Sequence, residues 1–373
     1  MAQDEDFTER TMTLRVPPPA AEAAPREHVL IYALDGATRQ AAIGPAGLVI
    51  GRQAPADLVI PLPDISRRHC RILLADDDAV LSDLGSTNGT RVGGMAIAGP
   101  TRLAEGATIQ LGAFALRYER RARAELAEAA ELDAELHRAA EYVRALLPPP
   151  LAEGPIHAAW HFVPSARLGG DAFGYQALDA EWFSGFVLDV SGHGVGSAMH
   201  AAAAANALRR RALPGVDFRD PEAVCAGLNA LLPMEAHNGL LLTLWYFAYE
   251  TATRRLRFAS AGHHAGLLHL PGEAGPRMLA GRGPAIGMME TGRWPAGEIA
   301  LPPGARLWLS SDGAFEIAPQ GGPDWTLEHL AALLARLGPP GPARPELVYE
   351  AVRKAGGGAP LADDFPLVAL TFG

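Results

Sequence analysis

Between residues 28 and 119 the apolar residues fall in short runs: HVLIYAL, GLVIG, DLVIPL, HCRILLA, AVLSDL, TIQLG and FALRYE. Many alternate with polar residues, and Gly, Pro, Asp and Asn separate them, which predicts strands joined by turns and an all-β sandwich. The pattern then changes. Glu119 to Leu147 contains no Gly or Pro and is dominated by Ala, Glu, Leu and Arg, the composition of a helix of about seven or eight turns. Ala122, Leu126, Ala129, Leu132, Leu136, Ala139, Val143 and Leu146 recur three or four apart and form one apolar stripe. Such a stripe either packs on the chain's own domains or pairs two chains as a homodimer, and the pattern does not choose. Pro148 to Pro150 end the helix, because proline cannot continue its hydrogen bonding.

Beyond the prolines the periodicity is mixed. IHAAWHFV, WFSGFVLDV, LLTLWYFAYE, LRFASAG, GLLHL, RLWLSS and PLVALTF read as strands. VGSAMHAAAAANALRRRAL, PEAVCAGLNALLPM, LEHLAALLARL and PELVYEAVRKA read as helices. The chain is therefore expected to be multidomain: an acidic arm at 1–27, a β domain at 28–118, a helical linker at 119–147 and an α+β domain at 148–373. The arm is rich in charge, Pro and Ala and is expected to be disordered. It carries Thr8, Thr11 and Thr13.

Charge and composition narrow the function classes. A net charge of −10 argues against a general nucleic-acid binder, whose affinity rests on clustered basic residues. Lys354 is the single lysine, so there is no Walker-type GK[ST], and a lysine-dependent kinase has no suitable candidate. GHGVGSAM is GxGxG rather than GxGxxG, and Asp189 just upstream would repel a pyrophosphate, so the dinucleotide reading is weak. Cys70 and Cys225 are far apart and in no CxxC, as expected of reduced thiols in a cytoplasmic protein. No apolar run has transmembrane length, and no membrane partner is expected.

The chemistry lies in four aspartates beside turns at the ends of apolar runs: Asp171 in LGGD, Asp189 in FVLDVSGHG, Asp312 in LWLSSDG and Asp363 in ADDF. Taken singly, each is explained by the turn preference of Asp and Gly. Brought together they would repel one another unless cations lay between them, and hard divalent ions prefer such oxygen ligands. LLPPP, VPSARLGGDAFGY, VLDVSGHGVGSAM, FASAGHHAG, LPPGARLWLSSDGAFE and DDFPLVAL, in that order, resemble the PPM metal-dependent serine/threonine protein phosphatases, in the SpoIIE-like branch that acts on sigma-factor regulators. The resemblance implies an αββα sandwich and two Mn²⁺ or Mg²⁺ ions. It further implies that Asp171, Asp189, Asp312, Asp363 and the backbone carbonyl of Val190 are ligands, with Asp189 and Asp312 at the catalytic centre. The implied substrate is a phosphoserine or phosphothreonine protein, such as an anti-sigma-factor antagonist, set against a serine/threonine kinase.

This sequence departs from that pattern at two positions. Gly174 stands where the family often has another Asp, which is expected to weaken one metal position, and Pro366 stands where Ser or Thr is common. These departures sustain a second reading, a phosphothreonine-binding scaffold with a catalytically weak phosphatase-like domain. Arg167 and His193 are further candidates, for phosphate contact and general acid respectively, each with an ordinary surface or loop explanation. His263 and His264 in SAGHHAG lack the spacing of zinc ligands.

Upstream, LVIGR, DISRRHCRI, SDLGSTNGTRVGG and LAEGATIQLG resemble a forkhead-associated (FHA) domain, which binds phosphothreonine peptides through loops at one end of a β-sandwich. On that resemblance Arg52 and Arg67 supply cations for phosphate, while Ser66, Thr87 and Asn88 hydrogen-bond the peptide and its phosphate. His69 is expected to support the loop. A phosphothreonine-containing protein is the implied partner.

Overall fold

The computed structural model describes residues 26–34, 37–75, 78–165, 168–192, 194–237, 239–319, 322–337 and 341–373. Residues 1–25 of the expected arm, with its three threonines, lie outside them, as do Arg167 and His193, whereas Arg26 and Glu27 belong to the first strand, because they pair with Ala122 and Arg121. The chain divides into two compact units, Met1–Glu131 and Leu132–Gly373.

The first unit is a sandwich of short strands: β1 (Arg26–Leu34), β2 (Ala37–Ala42), β3 (Leu48–Gly51), β4 (Leu58–Val59), β5 (Cys70–Ala75), β6 (Asp78–Asp83), β7 (Thr90–Val92), β8 (Met95–Ala96), β9 (Thr101–Arg102), β10 (Thr108–Leu111) and β11 (Phe114–Ala122). One sheet has the order β2-β1-β11-β10-β7-β8 and the other β4-β3-β5-β6-β9. Alternate residues such as Leu30, Ile50, Ile72, Leu81, Ile109 and Leu116 are buried in one core, as period-two patterning requires. The helix expected from Glu119 begins later. Glu119 to Ala122 instead continue β11, pairing with Val29 to Arg26, because cross-strand partners satisfy their backbone groups better than an isolated first helical turn.

Helix α1 (Arg123–Ala145) follows and straddles the division between the units. None of its residues is buried, and Leu132 on the apolar stripe is 57% exposed. No helix among the described residues is long and apolar enough to cross a membrane.

The second unit contains β12 (Ile156–Val163), β13 (Asp171–Ala177), β14 (Trp182–Val190), α2 (Val195–Arg209), α3 (Pro221–Leu231), β15 (Leu242–Glu250), β16 (Arg255–Ala261), β17 (Gly266–His269), β18 (Arg277–Leu279), β19 (Gly297–Ala300), β20 (Ala305–Ser310), α4 (Leu327–Leu337), α5 (Pro345–Ala355) and β21 (Phe365–Phe372). Two antiparallel sheets, β12-β21-β20-β17-β18 and β13-β14-β15-β16-β19, pack face to face. Phe173, Trp245, Phe247, Leu307 and Phe372 fill the space between them. Helices α2 and α3 cover the outer face of the β13–β19 sheet, and α4 and α5 cover the other. This is the αββα layering the resemblance implied. Its inner strands are apolar on both faces, which is why β14 and β20 read as continuous hydrophobic runs rather than alternating ones.

Candidate metal centre and phosphate-binding loops

Two strand ends of each sheet meet at one end of the second sandwich. Asp171 opens β13 and is the direct register partner of Asp189 near the end of β14. From the facing sheet, Asp312 follows β20 in a short 3-10 turn, and Asp363 lies two residues before β21. All four line one cavity of about 490 Å³ together with Val190. The structure thus brings together every residue expected at the metal site. Among the described residues, no three His, Cys, Asp or Glu side chains already form a closed metal cage. The donors share a cavity without converging on a point.

The electrostatics of the cavity call for a cation. Burial, followed by the charges of Asp189 and Asp364, holds the Asp171 carboxyl well above its usual range. Asp189 is pushed up to about 6, first by burial and then by Asp312, although a hydrogen bond with Asp171 opposes the rise. Oδ2 of Asp171 is buried without a hydrogen-bond partner. Among the described residues no basic side chain lines this cavity. An all-oxygen donor set with mutual repulsion and an orphaned oxygen fits hard divalent ions such as Mg²⁺ or Mn²⁺.

The LGGD glycines are explained by close approach. A Cβ on Gly169 would run into the Asp364 carboxylate, and one on Gly170 would sit 2.6 Å from the Val190 carbonyl oxygen. Asp364 is the residue that motif reading passed over. It is 2% exposed, and its carboxylate accepts hydrogen bonds from Ser165 N at 2.7 Å, Ser165 Oγ at 2.9 Å and Asp171 N at 3.3 Å. Its own carbonyl accepts from Ser311 Oγ at 3.2 Å. Asp364 therefore ties the loops bearing Asp171 and Asp312 to the start of β21. The only signal for it in the sequence was the second Asp of ADDF.

The two departures look different in three dimensions. Gly174 pairs with Phe186, three positions along β13 from Asp171, and so belongs to the opposite face of the strand. A Cβ there would meet the Phe186 ring at 2.6 Å and Arg209 at 3.4 Å, away from the cavity. The expected loss of a peripheral carboxylate from the site is thus corrected: this position does not point into it. Pro366 stands before β20 begins to pair with β21 at Leu367, so its missing N–H removes no bond from that ladder.

Burial drives His263 well below the usual imidazole range, with the His264 charge adding to the effect, and burial pushes His264 down to about 4. Their Nε2 atoms are buried without partners. The two rings lie 4.2 Å apart beside Phe315.

In the first unit, Arg52, Ser66, Arg67, Thr87 and Asn88 line a separate cavity of about 420 Å³. Ser66 Oγ accepts from Thr87 N at 3.0 Å, and Asn88 Nδ2 donates to the Asp64 carbonyl at 2.8 Å, so the two loops brace each other. Buried His69 lies beneath. Its Nδ1 accepts from Ser66 N at 3.2 Å, which leaves Nε2 to donate to the Gly89 carbonyl. Asp83 shapes the following turn, accepting from Gly85 N, Ser86 N and Oγ, and Thr90 Oγ1. Despite partial burial, which acts the other way, the hydrogen bonds from Ser86 and Thr90 hold its carboxyl down at about 2.

Comparison with known proteins bears on both domains. Residues 183–373 match the family described as Stage II sporulation protein E (SpoIIE). The chain belongs to the SpoIIE family. That match takes in Asp189, Asp312 and Asp363, and residues 48–112 match the FHA domain, which takes in all five phosphate-loop candidates. The chain therefore carries an N-terminal FHA domain and a C-terminal SpoIIE-type PP2C phosphatase domain. A phosphoserine phosphatase of Bacillus subtilis, RsbP, is 24% identical over 184 residues, which is 49% of this chain and 45% of that protein. This SpoIIE-family chain thus matches less than half the length of that relative. The PP2C domain of SiaA from Pseudomonas aeruginosa superposes with a TM-score of 0.56 at 25% identity, over 66% of this chain and 99% of that one. The phosphatase domain of Bacillus subtilis SpoIIE itself shares the fold, with a TM-score of 0.51 at 16% identity over 60% of this chain and 64% of that one.

Proposed function

We propose that the chain is a Mn²⁺- or Mg²⁺-dependent serine/threonine phosphoprotein phosphatase, directed to phosphothreonine proteins by its FHA domain. The observation that carries this reading is the gathering of Asp171, Asp189, Asp312 and Asp363 from four strand ends into one cavity, with carboxylates that repel one another and an orphaned oxygen on Asp171. Two divalent ions supply, when bound, a water of lowered pKa and positive charge for the phosphoryl oxygens. Asp189, between Asp171 and Asp312, would hold both ions. Asp171, Asp312, Asp363 and the Val190 carbonyl would supply the remaining oxygen ligands. Asp364 keeps the Asp171 loop in place, and the cavity of about 490 Å³ has room for a phosphoserine or phosphothreonine side chain.

The name of RsbP, a phosphoserine phosphatase, supports a phosphoserine protein as substrate here. An anti-sigma-factor antagonist opposed to a serine/threonine kinase is the class we assign. Arg52, Ser66, Arg67, Thr87 and Asn88 are the phosphothreonine-binding residues of this reading. Since no residue of α1 is buried, its leucine stripe is open to a second chain, and homodimerisation through α1 belongs to the reading as well. Neither Gly174 nor Pro366 takes a donor from the cavity, so nothing favours the non-catalytic scaffold.

The test is hydrolysis of p-nitrophenyl phosphate and of a phosphoserine peptide by the purified chain with Mn²⁺ or Mg²⁺. Turnover should stop with chelator and in Asp189→Ala and Asp312→Ala. Chelator-resistant turnover, or full activity in both variants, would rule the mechanism out.

A further inference from the structure

The surface beside the carboxylate cavity is apolar. Val195 and Met199 on α2 are 48% and 68% exposed, Leu231 at the end of α3 is 45% exposed, and Met288 and Met289 are 56% and 52% exposed. Exposed apolar residues scattered singly are ordinary, but the end of α3 that bears Leu231 packs against the turn at Gly287 that precedes Met288 and Met289, and Val195 and Met199 lie in the first two turns of α2, which starts just after the cavity. The connections are covalent and hydrogen-bonded. Ser191 and Gly192 line the cavity, and α2 begins three residues later. Ser191 N donates to the Leu241 carbonyl at 2.9 Å, and Leu241 N donates back to Ser191 Oγ at 3.0 Å. The next residue, Leu242, accepts from Ile286 N at 2.8 Å. Leu242 is the register partner of Val190, so that bond places Ile286, two residues before Met288, two strand spacings from Val190, about 10 Å.

This turn is fastened from below. Asn229 of α3, 6% exposed, accepts from Gly287 N at 2.8 Å and donates to the Met289 carbonyl at 3.0 Å. Met234 N donates to the Gly287 carbonyl at 3.1 Å. Gly287 has φ of 79°, and a Cβ on it would meet Met234 N at 2.9 Å. Two methionines are thus held out on a fixed backbone, although burying them elsewhere would release apolar surface from water.

The geometry points to this rim as the docking surface for a folded phosphoprotein substrate, held by apolar contact. The inference rests on the phosphatase reading above. A cavity of about 490 Å³ takes a phosphorylated side chain and not the domain that bears it, so a folded substrate must lie across the rim. Methionine is unbranched and polarisable and adapts to partner surfaces. The charged residues on the same turns, Glu235, Glu290 and Arg293, are exposed and of both signs, so they provide no field that selects a strongly charged peptide. The substrate class is a protein whose phosphoserine is flanked by exposed apolar side chains.

The full chain with Mn²⁺ is to be assayed on p-nitrophenyl phosphate, a ten-residue phosphoserine peptide and a serine-phosphorylated anti-sigma-factor antagonist domain. Met288→Glu with Met289→Glu, and separately Met199→Glu, should raise KM for the antagonist by on the order of tenfold, the loss of about 1.4 kcal/mol of binding. They should leave kcat/KM on the two small substrates within about twofold, and Met288→Leu with Met289→Leu should restore the antagonist KM. An unchanged antagonist KM, an equal loss on all three substrates, or no antagonist turnover by a wild type that hydrolyses p-nitrophenyl phosphate would overturn docking while leaving the phosphatase reading intact. So would a wild-type dimer that the glutamates convert to monomers, which would make the rim an interface between copies. Failure on p-nitrophenyl phosphate would remove the phosphatase reading, and docking with it.

Discussion

Asp171 and Asp189 stand directly opposite each other on adjacent antiparallel strands, and both line one cavity. Burial and neighbouring carboxylates raise both groups, so without metal the pair keeps a proton to higher pH than ordinary aspartates do. Folding and metal binding are therefore linked through this pair.

The first prediction follows from the raised carboxyls. A folded pKa above the unfolded value gives stability that is complete below the unfolded value, near 3.8, and is lost as pH rises through about 6 for Asp189. In chelator, the melting temperature should fall across that window. Added Mn²⁺ should raise it more at pH 8 than at pH 5, and Asp189→Asn should flatten both effects. Scanning calorimetry at the two pH values checks this.

Asp364→Ala should lower stability by about 2 kcal/mol or more, because Ser165 and the Asp171 amide lose a buried acceptor. Metal affinity should fall with it, since the Asp171 loop is released, whereas Asp364→Asn should retain part of both. Denaturant unfolding and calorimetric Mn²⁺ titration would show it. Wild-type affinity in the alanine variant would mean that Asp364 does not position the loop.

Restoring the family's usual aspartate with Gly174→Asp should not raise activity. It should lower the melting temperature by several degrees, because the new Cβ meets the Phe186 ring on the face away from the cavity. An increase in metal affinity or turnover would contradict this orientation.

Acid should destabilise the protein through His264. Its folded pKa of about 4 lies below the ordinary value, so the unfolded chain binds the proton first, and stability present above pH 6.5 is lost as pH falls toward 4. Between pH 7.5 and 5.0 the wild type should lose on the order of 1 kcal/mol per pH unit below 6.5 relative to His264→Phe. Taking the difference in urea unfolding between the two proteins cancels the opposing contribution of the carboxylates.

Arg52→Ala should abolish binding of a phosphothreonine peptide while p-nitrophenyl phosphate turnover stays within about twofold, because removing one guanidinium takes away a charge-assisted phosphate contact. His69→Ala should weaken peptide binding less, through the loss of its support to Ser66 and Gly89. Calorimetry with phosphorylated and plain peptides separates the cases, and equal binding of the two peptides by the wild type would remove the assignment.

What the sequence determined by itself was local. A partly alternating run marked β12, short continuous apolar runs bounded by turn residues marked β14 and β21, and three-to-four spacing marked α4 and α5, because side-chain periodicity follows directly from backbone geometry. The turn aspartates and the SRRH and STNG loops were legible because carboxylates, guanidiniums and hydroxyls advertise their chemistry wherever they stand. Strand β13 was harder to read, since its apolar residues serve two covered faces and do not alternate, and Glu119 to Ala122 carry helix-forming residues that strand pairing overrides. Only the tertiary structure decided that Asp171 faces Asp189, that Gly174 turns away and that Asp364 braces the loops. Each depends on strands or turns far apart in the chain, and distance along a sequence carries no information about which of them the packed sheets bring into contact.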